Sequence, residues 1–325
     1  MSAHPFSTLT PDRVLDAIDA TGLRTDGRLL ALNSYENRVY QAGLEEGGFV
    51  VAKFYRPERW SDAAIREEHA FTQLLAEHEI PAVPPMCLPG GDTLAHAGGF
   101  RVAVFERRGG RTPELDHPEV LEWLGRFIGR IHAQGATRAY EHRLLLDVAN
   151  WGDMPGEFVL ASPHLPADLR EAYRAALTGA LDGVRASFER AGEVRQLCLH
   201  GDCHPGNVLW TDAGPHFVDF DDSCMGPAVQ DLWMLLSGER GEMTRQLCDL
   251  VAGYEDFADF NPREVGLIEA LRTLRLIHHA AWLARRWEDP AFPVAFPWFN
   301  TRGWWEEHIG TLRDQVPRMA EPWLF

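Results

Sequence analysis

The apolar residues of this chain read as a mixed pattern of strands and helices up to about residue 107 and as helices beyond it, and that change confines the fold to two dissimilar parts. Before it, short β-like runs at 29–33, 38–42 and 49–55 follow one another, with Glu46-Gly47-Gly48 as turn chemistry between the last two, which predicts a β-meander. A short helix near residues 11–21 precedes them. A second helix is expected over 62–78, where Ser61 suits the N-cap, Ile65, Phe71, Leu74 and Leu75 recur at helical spacing, and Pro81, Pro84 and Pro85 end the pattern. Strand-like runs at 93–96 and 100–105 complete a small sheet. From Arg107-Arg108-Gly109-Gly110-Arg111 onward the pattern is helical. Leu121, Leu124, Phe127, Ile128 and Ile131 form one apolar stripe, with Pro118 in its first turn and Gly135 expected at C′. Further helices are expected near 167–190, 228–236, 244–257, 262–287 and 304–315. The fold class is therefore α+β and two-lobed, with a small β-rich N-terminal lobe (1–107) and a larger, mainly helical C-terminal lobe (108–325).

Charge and cysteine content narrow the chemistry. A formal net charge of −17 is the wrong balance for a nucleic-acid surface, which needs clustered basic residues, although a single local cation can still hold a nucleotide. The opening Met1-Ser2-Ala3-His4-Pro5-Phe6 has no basic segment leading into an apolar run, and no stretch reaches the ~18 apolar residues of a membrane span, so a cytoplasmic protein is expected. The five cysteines, without a CxxC pair, point to reduced thiols rather than disulfides or zinc ligation. Cys203 and Cys224, which flank the acidic motif below, read first as small space-filling residues.

Lys53 is the only lysine among 31 basic residues. It lies in the apolar run Phe49-Val50-Val51-Ala52-Lys53-Phe54-Tyr55, where a charge is costly unless partnered. A compact ammonium that contacts phosphate oxygens as a point charge gives a reason for Lys where the rest of the chain uses Arg.

The helical half is interrupted by His200-Gly201-Asp202-Cys203-His204-Pro205-Gly206-Asn207 and, beyond it, Val218-Asp219-Phe220-Asp221-Asp222. Asp202 and Asn207 are five apart in a loop that Pro205 and Gly206 keep from becoming helix. That spacing is the one a kinase catalytic loop uses for a proton-accepting Asp and a Mg²⁺-binding Asn. Asp219 follows Asn207 by twelve residues, at the end of the strand-like His216-Phe217-Val218, where a carboxylate could join metal ions to the β- and γ-phosphates. The residue pattern points to phosphoryl transfer from ATP.

These motifs resemble the aminoglycoside phosphotransferase and choline kinase superfamily, which shares the protein-kinase fold. More narrowly, Leu32-Asn33-Ser34-Tyr35-Glu36-Asn37-Arg38-Val39-Tyr40, Val51-Ala52-Lys53-Phe54-Tyr55-Arg56-Pro57-Glu58-Arg59-Trp60, and Gly226-Pro227-Ala228-Val229-Gln230-Asp231-Leu232-Trp233 are similar to the bacterial stress response kinase A family. So are Ala281-Trp282-Leu283-Ala284-Arg285-Arg286-Trp287 and Asp289-Pro290-Ala291-Phe292-Pro293. The resemblance implies a cytoplasmic Ser/Thr protein kinase of the stress response, using ATP as co-substrate and Mg²⁺ as cofactor. Protein substrates, autophosphorylation and a monomeric state are expected, with no nucleic-acid or membrane partner. By position it makes Asp202 the proton acceptor and Asn207 and Asp219 the Mg²⁺ ligands, Asp219 being catalytic as well. Lys53 would hold the α- and β-phosphates with Glu68 as its ion-pair partner, Glu67 being the adjacent alternative. Ser34 would lie in the nucleotide-covering loop. Two departures stand out. No GxGxxG occurs, Asn33-Ser34-Tyr35-Glu36-Asn37 taking its place, and Asp219-Phe220 is followed by Asp221 instead of Gly.

The remaining polar residues divide less cleanly. His200 and His204 read as loop residues satisfied locally, Asp231 either as a helix cap or as a brace for the catalytic loop, and Asp221 and Asp222 either as charge-tuning residues or as a solvated pair. The aromatic segment from Phe292 to Phe299 with Trp304 and Trp305 reads as packing, or as an acceptor-pocket wall able to take a cation. Three other functions compete. A metallohydrolase would use the Asp202-Cys203-His204 triplet, but it lacks the later Gly-Asn-His-Asp/Glu element and leaves Lys53 unexplained. A catalytically inactive kinase-like binding module conflicts with the presence together of Lys53, Asp202, Asn207 and Asp219. A small-molecule phosphotransferase acting on an amino alcohol, a sugar or an aminoglycoside would use the same residues.

Overall fold

The computed structural model describes residues 4–323; residues 1–3 and 324–325, the extremities of the two expected lobes, lie outside them. In chain order the elements are α1 (Pro11–Asp19), β1 (Thr25–Ala31), β2 (Arg38–Leu44), β3 (Phe49–Phe54), α2 (Asp62–Glu77), β4 (Ala95–Ala97), β5 (Phe100–Glu106) and α3 (Pro118–Gly135). There follow α4 (Met154–Ala161), α5 (Arg170–Ala191), β6 (Leu197–Leu199), β7 (Val208–Thr211), β8 (Gly214–Phe217), β9 (Cys224–Gly226), α6 (Val229–Trp233), α7 (Arg240–Tyr254), α8 (Ile268–Arg286), α9 (Ala291–Ala295) and α10 (Arg302–Ala320). The chain forms two compact units. The first holds the chain up to Glu114 together with Tyr140–Arg143 and His204–Ser223; the second holds Leu115–Ala139, Leu144–Cys203 and Cys224 onward.

In the first unit five strands make an antiparallel sheet in the order β1-β2-β3-β5-β4. Alternation along β3 sends Val50, Ala52 and Phe54 into a core shared with Val14 and Ile18 of α1 and with Val102 and Val104. The opposite face carries Tyr55 and Ala103, which pack with Ile65 of α2. Lys53 alternates onto this second face, paired in register with Val39 of β2 and Ala103 of β5. The two-residue loop joining β4 to β5 is Gly98-Gly99, both at positive φ, as the tightest hairpin turns require.

The β7–β8 hairpin belongs to this unit even though it follows about a hundred residues later. Phe217 donates its N–H to Pro81 O at 2.8 Å, Val83 donates to Phe217 O at 3.1 Å, and Arg111 and Trp210 exchange backbone bonds at 2.9 and 2.7 Å. A single break after residue 107 therefore does not describe the packing: the acidic segment 204–223 crosses back onto the sheet unit.

The second unit is helical around the β6–β9 ribbon, in which Leu197 faces Gly226 and Leu199 faces Cys224. Its tightest packing is between α3 and α7. A Cβ on Gly125 would meet Leu250 O at 1.9 Å, and one on Gly253 would meet Glu122 O at 1.9 Å, so backbone lies against backbone there. Gly135 proves to be the last residue of α3 rather than its C′. Its reason is also proximity, since a Cβ would lie 2.1 Å from Cys198 O. The helix expected over 262–287 begins as a 3₁₀ segment, Pro262–Leu267, capped by Asn261, before α8 proper. Two helical pieces had no periodic signature: the π-turn Ala149–Asp153 with α4, and α9.

Gly125→Ala should lower unfolding stability by about 2 kcal/mol, because the clash is with backbone that cannot step aside. Gly310→Ala in α10, where nothing lies within 4 Å, should instead add about 0.5–1 kcal/mol. Equilibrium urea unfolding of the two variants checks the contrast.

Candidate active site

Lys53 is 6% exposed and makes ion pairs with Asp219 Oδ1 at 2.8 Å and Asp221 Oδ1 at 3.1 Å, with Nζ 5.3 Å from the Tyr55 ring centroid. Burial by itself would push the ammonium down. Asp219 and Asp221 outweigh it and hold Lys53 protonated well above the ordinary lysine value.

The segment that supplies these carboxylates is held by arginines. Arg59 forks across Asp221 Oδ2 and Asp222 Oδ1, while Arg143 donates to the backbone oxygens of Asp221 and Ser223. Burial would raise the Asp221 carboxyl, but Arg59, Lys53 and Arg143 hold it far below the usual carboxylate range. Phe220, buried, meets Phe71 of α2 edge-on with centroids 6.1 Å apart. Asp219 takes the left-handed conformation, φ 60°, which a non-glycine residue adopts at a cost of about 1–3 kcal/mol. Its side chain stays 56% exposed, where that of Asp221 is 5% exposed.

On α2 the structure separates the two adjacent glutamates. Glu67 accepts the backbone N–H groups of Glu141 and His142 at 2.7 and 2.9 Å. Glu68 turns inward, 2% exposed, with Oε2 free of any hydrogen bond. Burial raises its carboxyl to about 7 although Lys53 pulls it down. The expected Lys53–Glu68 ion pair is not formed: Lys53 pairs with Asp219 and Asp221 instead, the acids that the 204–223 segment brings to it.

The loop in place of GxGxxG is tied to β2 and to the residues just after β3. Ser34 Oγ accepts the Val39 N–H at 3.1 Å, and buried Asn37 accepts the Arg56 N–H at 3.0 Å through Oδ1. With the Asn37 oxygen so used, that residue shapes the loop.

In the second unit, Asp202 Oδ1 accepts from Arg275 Nη1 of α8 at 2.6 Å, and the Asp202 N–H donates to His200 Nδ1 at 3.3 Å. Asp231, 1% exposed, accepts the backbone N–H groups of His200 at 2.8 Å and Gly201 at 2.9 Å, while His132 Nε2 lies 3.0 Å from its Oδ2. Gln230 Nε2 donates to Gly201 O at 2.9 Å. Gly201 sits at φ 85°, which only glycine adopts freely. Of the two readings for Asp231 the structure takes the brace, because α6 begins at Val229 with Ala228 at its N-cap. His200 is fully buried, and the His204 ring accepts the Gly206 N–H at 3.0 Å, so both histidines are bonded within their own loop. Cys203 and Cys224 are buried, and burial pushes the Cys203 thiol up, away from reactivity.

Asn207 and Asp219 stand near each other at the open end of the β7–β8 hairpin, since the Val218 N–H donates to Asn207 O at 3.0 Å. An amide and an exposed carboxylate are hard oxygen donors of the kind Mg²⁺ takes alongside substrate phosphates, so these residues fit that ion. Among the described residues no group of three or more His, Cys, Asp or Glu forms a metal cage independent of a substrate. Arg59, Arg143 and Arg275 were not singled out by sequence reasoning. In a chain with 30 arginines, nothing but proximity marks these three.

A sheet with a buried lysine, a left-handed Asp beside it and a braced His-Gly-Asp loop are the parts of a phosphotransferase. The profile of the phosphotransferase enzyme family (APH) matches residues 28–268, and the chain belongs to that family, which has the protein-kinase-like fold. Within it, stress response kinase A of Escherichia coli (strain K12) is 43% identical over 321 residues, covering 99% of this chain and 97% of that protein. Serine/threonine protein kinase RdoA of Salmonella typhimurium is 41% identical over the same length and coverage. Among solved structures, the amicoumacin kinase hAmiN in complex with AMP-PNP, Ca²⁺ and Ami aligns with a TM-score of 0.73 at 16% identity, covering 93% of this chain and 92% of that one. A microcompartment-associated aminopropanol kinase aligns at 0.70 and 19%, covering 94% and 97%. Among the described residues no helix is long and apolar enough to cross a membrane.

Asp231→Ala would leave two buried N–H groups of the 200–201 backbone without an acceptor and should cost about 3 kcal/mol of stability. Asp231→Asn, which keeps one oxygen in place, should cost less. Chemical denaturation of both variants tests the order.

Proposed function

We propose that this chain is an ATP- and Mg²⁺-dependent kinase that phosphorylates serine and threonine hydroxyls of proteins, its own included, as a cytoplasmic monomer in a bacterial stress response. The phosphoryl-transfer reading is carried by the pairing of the only lysine, itself buried, with the exposed Asp219, a cation poised for phosphate held beside a carboxylate poised for metal. The protein-substrate reading is supported by full-length similarity to relatives named stress response kinase A and serine/threonine protein kinase RdoA.

In this mechanism Lys53 Nζ exchanges Asp219 Oδ1 for α- and β-phosphate oxygens, and Asn207 and Asp219 would hold the metal. Mg²⁺, when bound, offsets charge on the β- and γ-phosphates. Asp202, one oxygen held by Arg275, orients the acceptor hydroxyl and takes its proton. The bond from that oxygen to Pγ forms as the bond from Pγ to the bridging oxygen breaks, and ADP leaves. Ser34 and its loop cover the nucleotide. A second reading, transfer to a small alcohol, is favoured by Trp298, 42% exposed within an aromatic group that includes Trp304, Phe296 and His279.

Incubation with labelled ATP and Mg²⁺ separates the readings when label on protein Ser/Thr is compared with label on a panel of small alcohols and aminoglycosides. Label confined to the small alcohols would overturn the protein assignment. Asp202→Ala should lower turnover on the order of 10²- to 10⁴-fold while nucleotide binding persists; an unchanged rate would remove Asp202 from the mechanism. Lys53→Arg should also impair turnover, because a larger planar fork cannot occupy a 6%-exposed position built for an ammonium. Steady-state kinetics of that variant checks it.

A further inference from the structure

The two acids beside Lys53 are held in opposite ways. Asp219 Oδ1 meets the ammonium at 2.8 Å, but its side chain is 56% exposed, so it is open to exchange. Asp221 Oδ1 stands 3.1 Å from the same nitrogen, its side chain 5% exposed. Its Oδ2 is taken by Arg59 and its backbone oxygen by Arg143. Arg59 is itself anchored, 12% exposed on its side chain, with Asp222 and Glu36 as further partners. Glu68, the glutamate on α2, lies buried nearby without pairing to Lys53.

We propose that Asp221 is a positioning residue: it is the fixed counterion that sets where Lys53 Nζ sits, while Asp219 is the exchangeable one that lets go when nucleotide and metal arrive. The catalytic consequence rests on the kinase reading above. A nitrogen held by one anchored carboxylate keeps its place when the other partner leaves, whereas a nitrogen held by Asp219 alone would follow it. Displacement of a phosphate-binding group by about 1 Å costs up to the order of a hundredfold in rate. Asp221 thus fills the place that the sequence resemblance gave to Glu68.

Because Lys53 is the only lysine, acylation of lysine by an ATP acyl phosphate reports its position relative to bound nucleotide without requiring phosphoryl transfer. In the full-length protein, Asp221→Asn should lower kcat and the pH-independent rate of Lys53 acylation, read from the acylation pH profile because only the neutral amine reacts, by about ten- to a hundredfold, with AMP-PNP affinity falling by less than tenfold. In a Lys53→Met background the same substitution should leave AMP-PNP affinity unchanged. Wild-type acylation in Asp221→Asn, or a further loss of affinity in the Lys53→Met background, would overturn the proposal. If Asp221→Asn fails to fold because Arg59 loses a partner, the Arg59→Met/Asp221→Asn double variant removes the stranded cation and is read by the same criteria. A wild-type protein that phosphorylates nothing yet loses Lys53 acylation with Asp221 would defeat the kinase reading and leave the positioning role standing.

Discussion

An ammonium buried on the face of a sheet must be neutralised from outside that sheet, and much of the first unit's organisation follows from this. β3 itself offers Lys53 no acid: its register neighbours are Val39 and Ala103. The carboxylates come from Asp219 and Asp221, more than 160 residues along the chain. They reach Lys53 because the β7–β8 hairpin bonds to Pro81, Val83 and Arg111. Loss of one partner from a buried pair costs about 3–5 kcal/mol, comparable to a sizeable part of a domain's net stability. The buried charge is thus neutralised by a segment of the unit that is discontinuous with the sheet in sequence.

The same principle organises the helical unit with the signs reversed. Asp231 is a buried acid, and it is satisfied by backbone N–H groups and a histidine. What it fixes is the backbone immediately before Asp202. Arginine serves wherever a fork is useful, as when Arg59 spans two carboxylates and Arg143 spans two carbonyls. Lysine appears once, where a compact ammonium meets the carboxylates of Asp219 and Asp221.

Period and turn chemistry made the sheet, α2 and most of α3, α5, α7, α8 and α10 legible, because each buries a face against something and its apolar spacing records that. Asp202, Asn207, Asp219 and Lys53 stood out because chemistry restricts residue type at fixed spacing. What was illegible depends on distance in space. Gly135 reads as a helix terminator, yet its neighbour is Cys198 O, and no local pattern encodes a backbone 63 residues away. Glu67 and Glu68 are indistinguishable until the direction of α2 is known. Asp221 reads either as a charge-tuning residue or as half of a solvated acidic pair, and only the approach of Arg59 and Lys53 shows that it is buried. The π-turn and α4 carry too few residues for a period to register.

The residue after Asp219-Phe220 also bears on control. In protein kinases a glycine there leaves the segment free to swing, and the packing of the Phe sets the active or inactive state. Here the third position is Asp221, with its carboxylate on Lys53 and Arg59 and its carbonyl on Arg143. A swing would strand buried cations at about 3–5 kcal/mol for each pair broken. Even one such loss holds the displaced state below about one molecule in a hundred. Phe220 is pinned as well, buried against Phe71 of α2, whose Glu67 is in turn bonded to the 141–142 backbone. A switch built on this segment would have to break the ion pairs of Asp221 with Lys53 and Arg59 and the bond from Arg143 to its carbonyl.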